Sequence, residues 1–160
     1  MGADVADTGA ALQVFAVASA PLREHELVAW GQRLGATAPL PLVVTLSGPL
    51  GAGKTTLARA ILDGAGVDDA TQIGSPTFAL AHEHATRRGP VAHLDLYRLR
   101  GPDDVLAIGF DALLERHPLV LIEWADRAAG LLPRPHLAVT LEYAAEGLET
   151  RVLDAAVVPA

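Results

Sequence analysis

The chain has 160 residues and no cysteine, which excludes disulfide bonds, thiolate metal sites and cysteine nucleophiles. Because 51% of its residues are hydrophobic, it has enough apolar side chains for a single core. Its formal net charge of −7 and its single lysine leave no basic face, so we expect no nucleic-acid binding by the chain alone.

The N-terminal part of the chain predicts a disordered end, a strand and a helix. Residues 1–11 are small and polar and are expected to be disordered. The apolar run Leu12–Val17 predicts a short strand. The stretch Ser19–Leu34 predicts a helix because its apolar residues recur at near-helical spacing, with Pro21 near its start and Gly35 at its end.

A complete phosphate-loop motif, G-x-x-x-x-G-K-[ST], occupies Gly48–Thr55. It follows the apolar run Leu42–Leu46 and precedes the helix-like stretch Thr56–Leu62, a context that distinguishes a P-loop from a glycine-rich turn. Such a loop binds phosphate through backbone N–H groups and a helix N-terminus. Lys54 is then expected to reach the β- and γ-phosphates, and the Thr55 hydroxyl to bind Mg²⁺. The residues expected to contact the nucleotide here are Leu50, Gly51, Ala52, Gly53, Lys54, Thr55 and Thr56.

Two extended runs downstream of the P-loop, Phe78–Glu83 and Val91–Leu96, predict a β-hairpin. Thr77 precedes them in a loop that either senses the γ-phosphate, as switch loops do, or forms a plain turn. His82 and His84 share one face of the first strand, and we favour solvated edge histidines over a zinc site there.

Two acidic residues are candidates for chemistry. Asp95 shares a predicted strand face with His93 and Tyr97, and the spacing alone leaves a functional role and a solvated face equally open. Glu123 directly follows the buried apolar run Leu119–Ile122, where P-loop proteins carry an acid beside the Mg²⁺ of the nucleotide. For Glu123 we favour that role over an ordinary acid at the end of a strand.

The remaining elements complete the predicted fold. A helix is expected over Asp103–Arg116 with an interruption at Gly109, and His136–Tyr143 with Glu149–Val157 predict a second hairpin. Together the elements predict an α/β chain with the three-layer P-loop NTPase fold and a mixed sheet, in which antiparallel edge hairpins flank a parallel core. We expect residues 12–158 to form one domain.

Three features that the sequence lacks bear on the expected nucleotide and on the expected compartment. Because Lys54 is the single lysine, no N-K-x-D or T-K-x-D segment for reading guanine exists, and ATP is the expected nucleotide. No apolar run approaches the ~20 residues that a membrane span needs. The N-terminus also lacks the charged-then-apolar pattern of a signal peptide, so we expect a cytoplasmic protein.

Five segments together resemble the TsaE (YjeE) family of small bacterial P-loop ATPases. They occur in the order and at the spacing typical of that family, between about residues 20 and 143. The P-loop is generic, whereas the His-x-Asp-Leu-Tyr-Arg and Ile-Glu-Trp segments together are specific. The segments are Gly48–Thr55, Ser75–Phe78, His93–Arg98, Gly109–Phe110 and Ile122–Arg127.

The resemblance implies an accessory protein for threonylcarbamoyladenosine modification of tRNA. Members of the family bind a complex of two partners, TsaB and TsaD, and hydrolyse ATP with Mg²⁺ so that the modifying enzyme turns over repeatedly, while the partners hold the tRNA. By this resemblance Lys54, Asp95 and Glu123 are catalytic, and Thr55 joins the two acids as a metal ligand. The further residues implied to lie at the nucleotide are Thr77, Trp124 and Arg127.

Two other functions remain open from the residues themselves. A small-molecule or nucleoside kinase also uses a P-loop, but it usually needs arginines on a mobile lid, for which the chain has little room. A nucleotide-gated binding module would use ATP to order a docking surface, with hydrolysis incidental.

Overall fold

The computed structural model describes residues 5–70, 80–145 and 149–160, which form a mixed β-sheet with helices on both faces. The strands are β1 Val17–Arg23, β2 Leu42–Ser47, β3 Ala81–Thr86, β4 Gly89–Asp95, β5 Leu119–Glu123, β6 His136–Tyr143 and β7 Thr150–Val158. The α-helices are α1 Val5–Leu12, α2 Glu24–Thr37, α3 Lys54–Ala65, α4 Pro102–Ala107 and α5 Phe110–Arg116. Short 3₁₀ helices cover Gln13–Phe15 and Ala125–Ala128.

The sheet runs in the order β1-β7-β6-β2-β5-β4-β3 within the described residues. Its centre is parallel, because β2 pairs in parallel with both β5 and β6, and β5 pairs in parallel with β4. The outer strands β3, β7 and β1 pair antiparallel with their neighbours. The predicted α/β fold with a parallel core and antiparallel edge hairpins is therefore confirmed. The carboxyl ends of β2, β4 and β5 meet at one edge of the sheet, where α/β proteins place ligands.

Helices α2 and α3 cover one face of the sheet and pack closely against each other. Leu27, Trp30 and Leu34 recur on the buried side of α2, as its helical spacing predicted. Gly35 was expected to end this helix, but α2 continues to Thr37. A Cβ atom at Gly35 would collide with the carbonyl of Ile61 on α3, so the glycine permits close helix packing rather than a helix stop.

The second helical layer lies on the opposite face and covers β3, β4 and β5. Its α4, α5 and the 3₁₀ turn Ala125–Ala128 bury apolar side chains such as Leu94, Phe110 and Ile122. Gly109, at φ 81°, separates α4 from α5, which confirms the predicted interruption of a helix at that residue. None of the helices in the described ranges combines the length and the apolar character that crossing a membrane requires.

The N-terminal region differs from its sequence-based prediction. Residues 5–12 form α1 where we expected disorder, and the first strand is Val17–Arg23 rather than Leu12–Val17. The alanines of the first segment favour a helix, and Leu12 at its end is fully buried in the core. Pro21 lies within β1, which tolerates it because β1 is an edge strand.

Candidate nucleotide-binding site

The P-loop connects β2 to α3 and depends on glycine conformations. Gly48 has φ 147° and Gly51 has φ 78°, values that L-residues with a side chain rarely adopt. A Cβ atom at Gly48 would also collide with the carbonyl of Leu141 on β6. The glycines predicted from the motif therefore allow the loop to bend tightly against the end of the parallel core.

Two residues of the β6–β7 hairpin donate hydrogen bonds to backbone carbonyls of the P-loop. The Tyr143 hydroxyl donates a 2.6 Å hydrogen bond to the carbonyl of Leu50, and Arg151 Nη2 donates one of 3.3 Å to the carbonyl of Gly51. The Arg151 guanidinium lies over the Tyr143 ring, 4.8 Å from its centroid. Tyr143 and Arg151 are register partners on β6 and β7, so both reach the loop from the same face of the sheet. We call this pair the hairpin clamp.

The predicted phosphate-binding side chains lie on the loop and the first turn of α3. Lys54 is half-buried, and its Nζ donates a 2.5 Å hydrogen bond to the carbonyl of Gly48 across the loop. Thr55 and Thr56 are half-buried in the first turn of α3, at the positive end of that helix. Within the loop, Ala52 is buried, whereas Leu50 is 94% exposed. Leu50 contacts the rest of the protein through its carbonyl, which binds Tyr143.

The structure brings Asp95 and Glu123 together at the carboxyl edge of the sheet. They are the last residues of the parallel strands β4 and β5 and are register partners, so their side chains point to the same face. Asp95 is half-buried, and its Oδ1 accepts a 3.0 Å hydrogen bond from the backbone N–H of Tyr97. Glu123 is 5% exposed and lies beside Leu46, one residue before β2 ends and close to the start of the P-loop.

His93 contacts Glu123 directly, which the sequence pattern did not reveal. Its Nε2 lies 3.0 Å from Glu123 Oε2, and the imidazole is completely buried. The alternating pattern of the sequence placed His93 and Asp95 on one face of a hairpin strand. It left open whether that face was functional or simply exposed to solvent. Because β4 is an interior strand between β3 and β5, that face is instead covered at His93.

Tyr97 and Trp124, which come shortly after Asp95 and Glu123 in the chain, form an aromatic pair. The rings of Trp124 and Tyr97 are 4.9 Å apart at a tilt of 55°, and Arg127 Cζ lies 5.5 Å from the Trp124 centroid. Arg127 also forms an ion pair with Asp126, with 3.1 Å between Nη1 and Oδ2. Trp124 adopts φ 60°, a left-handed conformation that is strained for a bulky residue. Its ring remains partly exposed next to Glu123, which is consistent with the predicted place beside a nucleotide.

A cavity of about 800 Å³ opens beside the P-loop, on the side of α2 and β7. The P-loop contributes Gly51 and Gly53 to its lining, and the first turn of α3 contributes Thr56. Neither α2 nor β7 carried a motif that would have indicated a site, so sequence reasoning missed these lining residues. The side chains that line it outside the P-loop are Arg23, Glu24, His25, Leu27, Val28, Glu149 and Arg151.

Three further residues were singled out from the sequence. Thr77 lies outside the described residues. His82 and His84 are half-buried on the edge strand β3, with ring centroids 6.3 Å apart. Burial lowers the pKa of the His84 imidazole, helped by the neighbouring His93 and His82. In the part of the chain that the structure describes, no group of three or more histidine or acidic side chains is placed to hold a metal ion.

Comparison with solved structures identifies the fold. The crystal structure of YdiB from Bacillus subtilis superposes with a TM-score of 0.62 at 26% sequence identity, and the match covers 89% of each chain. That likeness and the P-loop between β2 and α3 identify the predicted P-loop NTPase fold.

Sequence comparisons identify the family. The model of the family described as threonylcarbamoyl adenosine biosynthesis protein TsaE matches residues 22–152. Proteins named tRNA threonylcarbamoyladenosine biosynthesis protein TsaE are 38% identical in Mycobacterium tuberculosis, over 81% of this chain and 80% of that protein, and 36% identical in Haemophilus influenzae, over 64% and 63%. One from Nostoc is 40% identical over 73% of this chain and 72% of its own length. The chain therefore belongs to the TsaE family.

Proposed function

We propose that this protein is a Mg²⁺-dependent ATPase that serves threonylcarbamoyladenosine modification of tRNA by acting on a complex of TsaB and TsaD homologues. One observation carries the proposal: a complete P-loop with Lys54 lies at the same sheet edge as the paired acids Asp95 and Glu123. Membership of the TsaE family supplies the biological process. We expect this activity in the cytoplasm.

The chain fits ATP and Mg²⁺ by the chemistry of its groups. The glycine-dependent loop and the helix N-terminus of α3 suit a polyphosphate, and the adjoining cavity of about 800 Å³ has room for a ribose and a base. The Thr55 hydroxyl and the carboxylates of Asp95 and Glu123 are the hard oxygen ligands that Mg²⁺ prefers. Bound ATP and Mg²⁺ would supply a transferable phosphoryl group and neutralisation of its charge.

The residues of the chain then have separable roles. Lys54 would release the Gly48 carbonyl and bind phosphate oxygens, stabilising negative charge. Glu123 and Asp95 would hold the metal, directly or through water, and orient a water molecule as the phosphoryl acceptor. Trp124 and Arg127 would border the nucleotide at the exposed end of the site. The hairpin clamp would keep the P-loop in its binding conformation.

The negative net charge of the chain supports a role in which it does not bind tRNA itself. With a net charge of −7, it has no electrostatic attraction for a phosphate backbone. The tRNA would therefore be bound by the partner proteins, and the energy of ATP binding and hydrolysis would reset their complex. The ATPase would be slow in isolation and faster on the partners.

The test compares purified wild-type protein with Glu123→Gln and Asp95→Asn. Each variant should lower ATP hydrolysis by roughly 100-fold, as loss of a charge-stabilising catalytic group does, while ATP affinity at saturating Mg²⁺ changes little. Hydrolysis is measured as phosphate release with and without TsaB and TsaD homologues. The control Glu115→Gln changes an exposed acid on α5 and should match wild type.

Three outcomes would contradict parts of this proposal. If wild-type protein consumed no ATP in the presence or absence of the partners, it would not be an ATPase. If Glu123→Gln and Asp95→Asn abolished hydrolysis but preserved ATP-dependent complex formation and tRNA modification, the protein would be a nucleotide-gated binding module. ATP consumption that rose with a small hydroxyl acceptor, and not with protein partners, would instead indicate a kinase.

A further inference from the structure

His93 is a polar residue that is completely buried in the interior of the sheet. It lies on the interior strand β4, with Leu121 of β5 and His82 of β3 as its register partners. Its exposed fraction is 0%, and among the described residues its side chain makes one hydrogen bond, the 3.0 Å contact between Nε2 and Glu123 Oε2. Its Nδ1 is buried and has no hydrogen-bond partner among the described residues.

These contacts assign the tautomer of the ring. A carboxylate oxygen accepts hydrogen bonds, so Nε2 must carry the proton that it donates to Glu123. In the neutral ring Nδ1 is then the nitrogen without a proton. The opposite tautomer would leave the buried Nδ1–H without an acceptor and would face the Nε2 lone pair towards the carboxylate, both of which cost free energy.

We propose that His93 is a positioning residue for Glu123. Its Nε2–H fixes Oε2 of the carboxylate, and the described residues provide no hydrogen bond to Oε1, which is left for Mg²⁺ or for an attacking water. The proposal rests on the proposed function, in which Glu123 serves the metal of the nucleotide. It adds a residue that never touches ATP but sets the orientation of one that does.

The surroundings favour this role over simple packing. Val91 and Leu121, which share the face of His93, are buried apolar residues, and an apolar side chain at position 93 would fill the space without burying a polar nitrogen. Glu123 is likewise almost fully buried, so its carboxylate needs a donor to compensate for lost hydration. The imidazole supplies that donor from a rigid interior strand.

Three substitutions at position 93 separate donor geometry from packing. His93→Leu fills the space and removes the donor. In His93→Gln the amide nitrogen can reach the place of Nε2, whereas in His93→Asn it reaches the place of Nδ1. We expect His93→Leu and His93→Asn to raise the Mg²⁺ concentration needed for half-maximal ATP binding by about 10- to 100-fold, the range for loss of such an outer partner. His93→Gln should stay close to wild type.

The readouts include two that do not depend on turnover. Calorimetric titration of ATP at several Mg²⁺ concentrations gives the metal requirement, and the same titration with a chelator should show unchanged ATP affinity in all variants. Long-range ¹H–¹⁵N NMR of the metal-free wild-type protein should show the Nε2–H tautomer of His93, with a proton signal that shifts in Glu123→Ala. Thermal unfolding confirms that each variant is folded.

Several results would overturn the assignment. They are a wild-type metal requirement in folded His93→Leu, a folded His93→Gln as impaired as His93→Leu, or an Nδ1–H tautomer in the NMR spectrum. Failure of the proposed function looks different, because wild-type protein itself would then bind no Mg²⁺–ATP. If wild-type protein bound Mg²⁺–ATP without hydrolysing it, the proposed ATPase activity would be wrong. The role of His93 would still be decided by the Mg²⁺ requirement of its variants.

Discussion

At the residue scale, Lys54 provides the positive charge of the P-loop motif itself. It is the single lysine of the sequence, and its ammonium group already lies over the P-loop against Gly48. Charge-assisted hydrogen bonds are worth roughly 1.5–3 kcal/mol each. Lys54→Ala would remove two such bonds, one to the β-phosphate and one to the γ-phosphate. We therefore predict that it weakens ATP binding by on the order of 100-fold or more. Isothermal titration calorimetry measures the affinity.

A charge-matched control separates this effect from a change in net charge. Arg116→Ala removes a positive charge from the exposed end of α5 and should bind ATP with wild-type affinity. Lys54→Arg keeps the charge but substitutes a planar guanidinium for a compact ammonium, so its affinity should lie between wild type and Lys54→Ala. Retained affinity in Lys54→Ala would show that the P-loop does not bind the nucleotide.

The sequence predicted those residues of the site that belong to local motifs. The P-loop is a contiguous motif, and Glu123 follows a recognisable buried strand. The contacts of His93 with Glu123 and of Tyr143 with Leu50 join residues 30 and 93 positions apart, which requires the strand order. A residue pattern with period two places a side chain on a face, but it does not say what covers that face.

At the element scale, close packing of α2 on α3 depends on Gly35. Alanine normally favours a helix over glycine by about 1 kcal/mol. At position 35 its Cβ would collide with the Ile61 carbonyl and lie 2.9 Å from the Ala65 nitrogen, so we predict that Gly35→Ala destabilises the fold by roughly 1–3 kcal/mol. Urea unfolding measures this change.

Gly9 provides the matched control for that substitution. It lies in α1, and the nearest atom to an added Cβ would be Pro135 Cγ at 4.0 Å, an ordinary contact. Gly9→Ala should therefore leave stability unchanged or raise it by about 0.5–1 kcal/mol. If both substitutions had the same effect, helix propensity rather than the α2–α3 contact would govern Gly35.

The hairpin clamp makes a second prediction about elements. Tyr143→Phe removes the hydroxyl that binds the Leu50 carbonyl and keeps the ring beneath Arg151. Loss of one hydrogen bond of about 0.5–1.5 kcal/mol should weaken ATP binding by roughly 3- to 10-fold and speed amide exchange in the P-loop. Hydrogen exchange read by mass spectrometry checks this, with β5 as the internal reference. Unchanged exchange in the loop would contradict a clamping role.

The elements with strong patterns were predicted well. Apolar runs predicted β2 and β5, two extended runs joined by turn residues predicted the first hairpin, and alternation predicted the second. The N-terminal region was predicted poorly, because β1 is an exposed edge strand with little alternation and contains Pro21. Its position is fixed by antiparallel pairing with β7, more than 120 residues away in the chain, rather than by local preference.

At the scale of the whole molecule, nucleotide binding should stabilise the folded chain. A ligand at about 100 times its Kd adds roughly 2.7 kcal/mol to the free energy of unfolding. For a chain of this length that corresponds to a rise in Tm of about 5–10 °C. Differential scanning fluorimetry with Mg²⁺–ATP should show this rise in wild-type protein and a rise of about 1 °C or less in Lys54→Ala. An equal rise in both would place the nucleotide elsewhere.

The antiparallel pairing of β6 with β7 constrains the length of the C-terminal hairpin. Tyr143 and Arg151 reach the P-loop together only because they are opposite each other in the register. Insertion or deletion of one residue in β7 before Arg151 would shift that register and turn the guanidinium to the other face of the sheet. The same shift would disturb the pairing of β1 with β7, so the strand that leads into α2 and the nucleotide cavity would move as well. In this hairpin the number of residues therefore matters to nucleotide binding even at positions whose side chains never approach the phosphate.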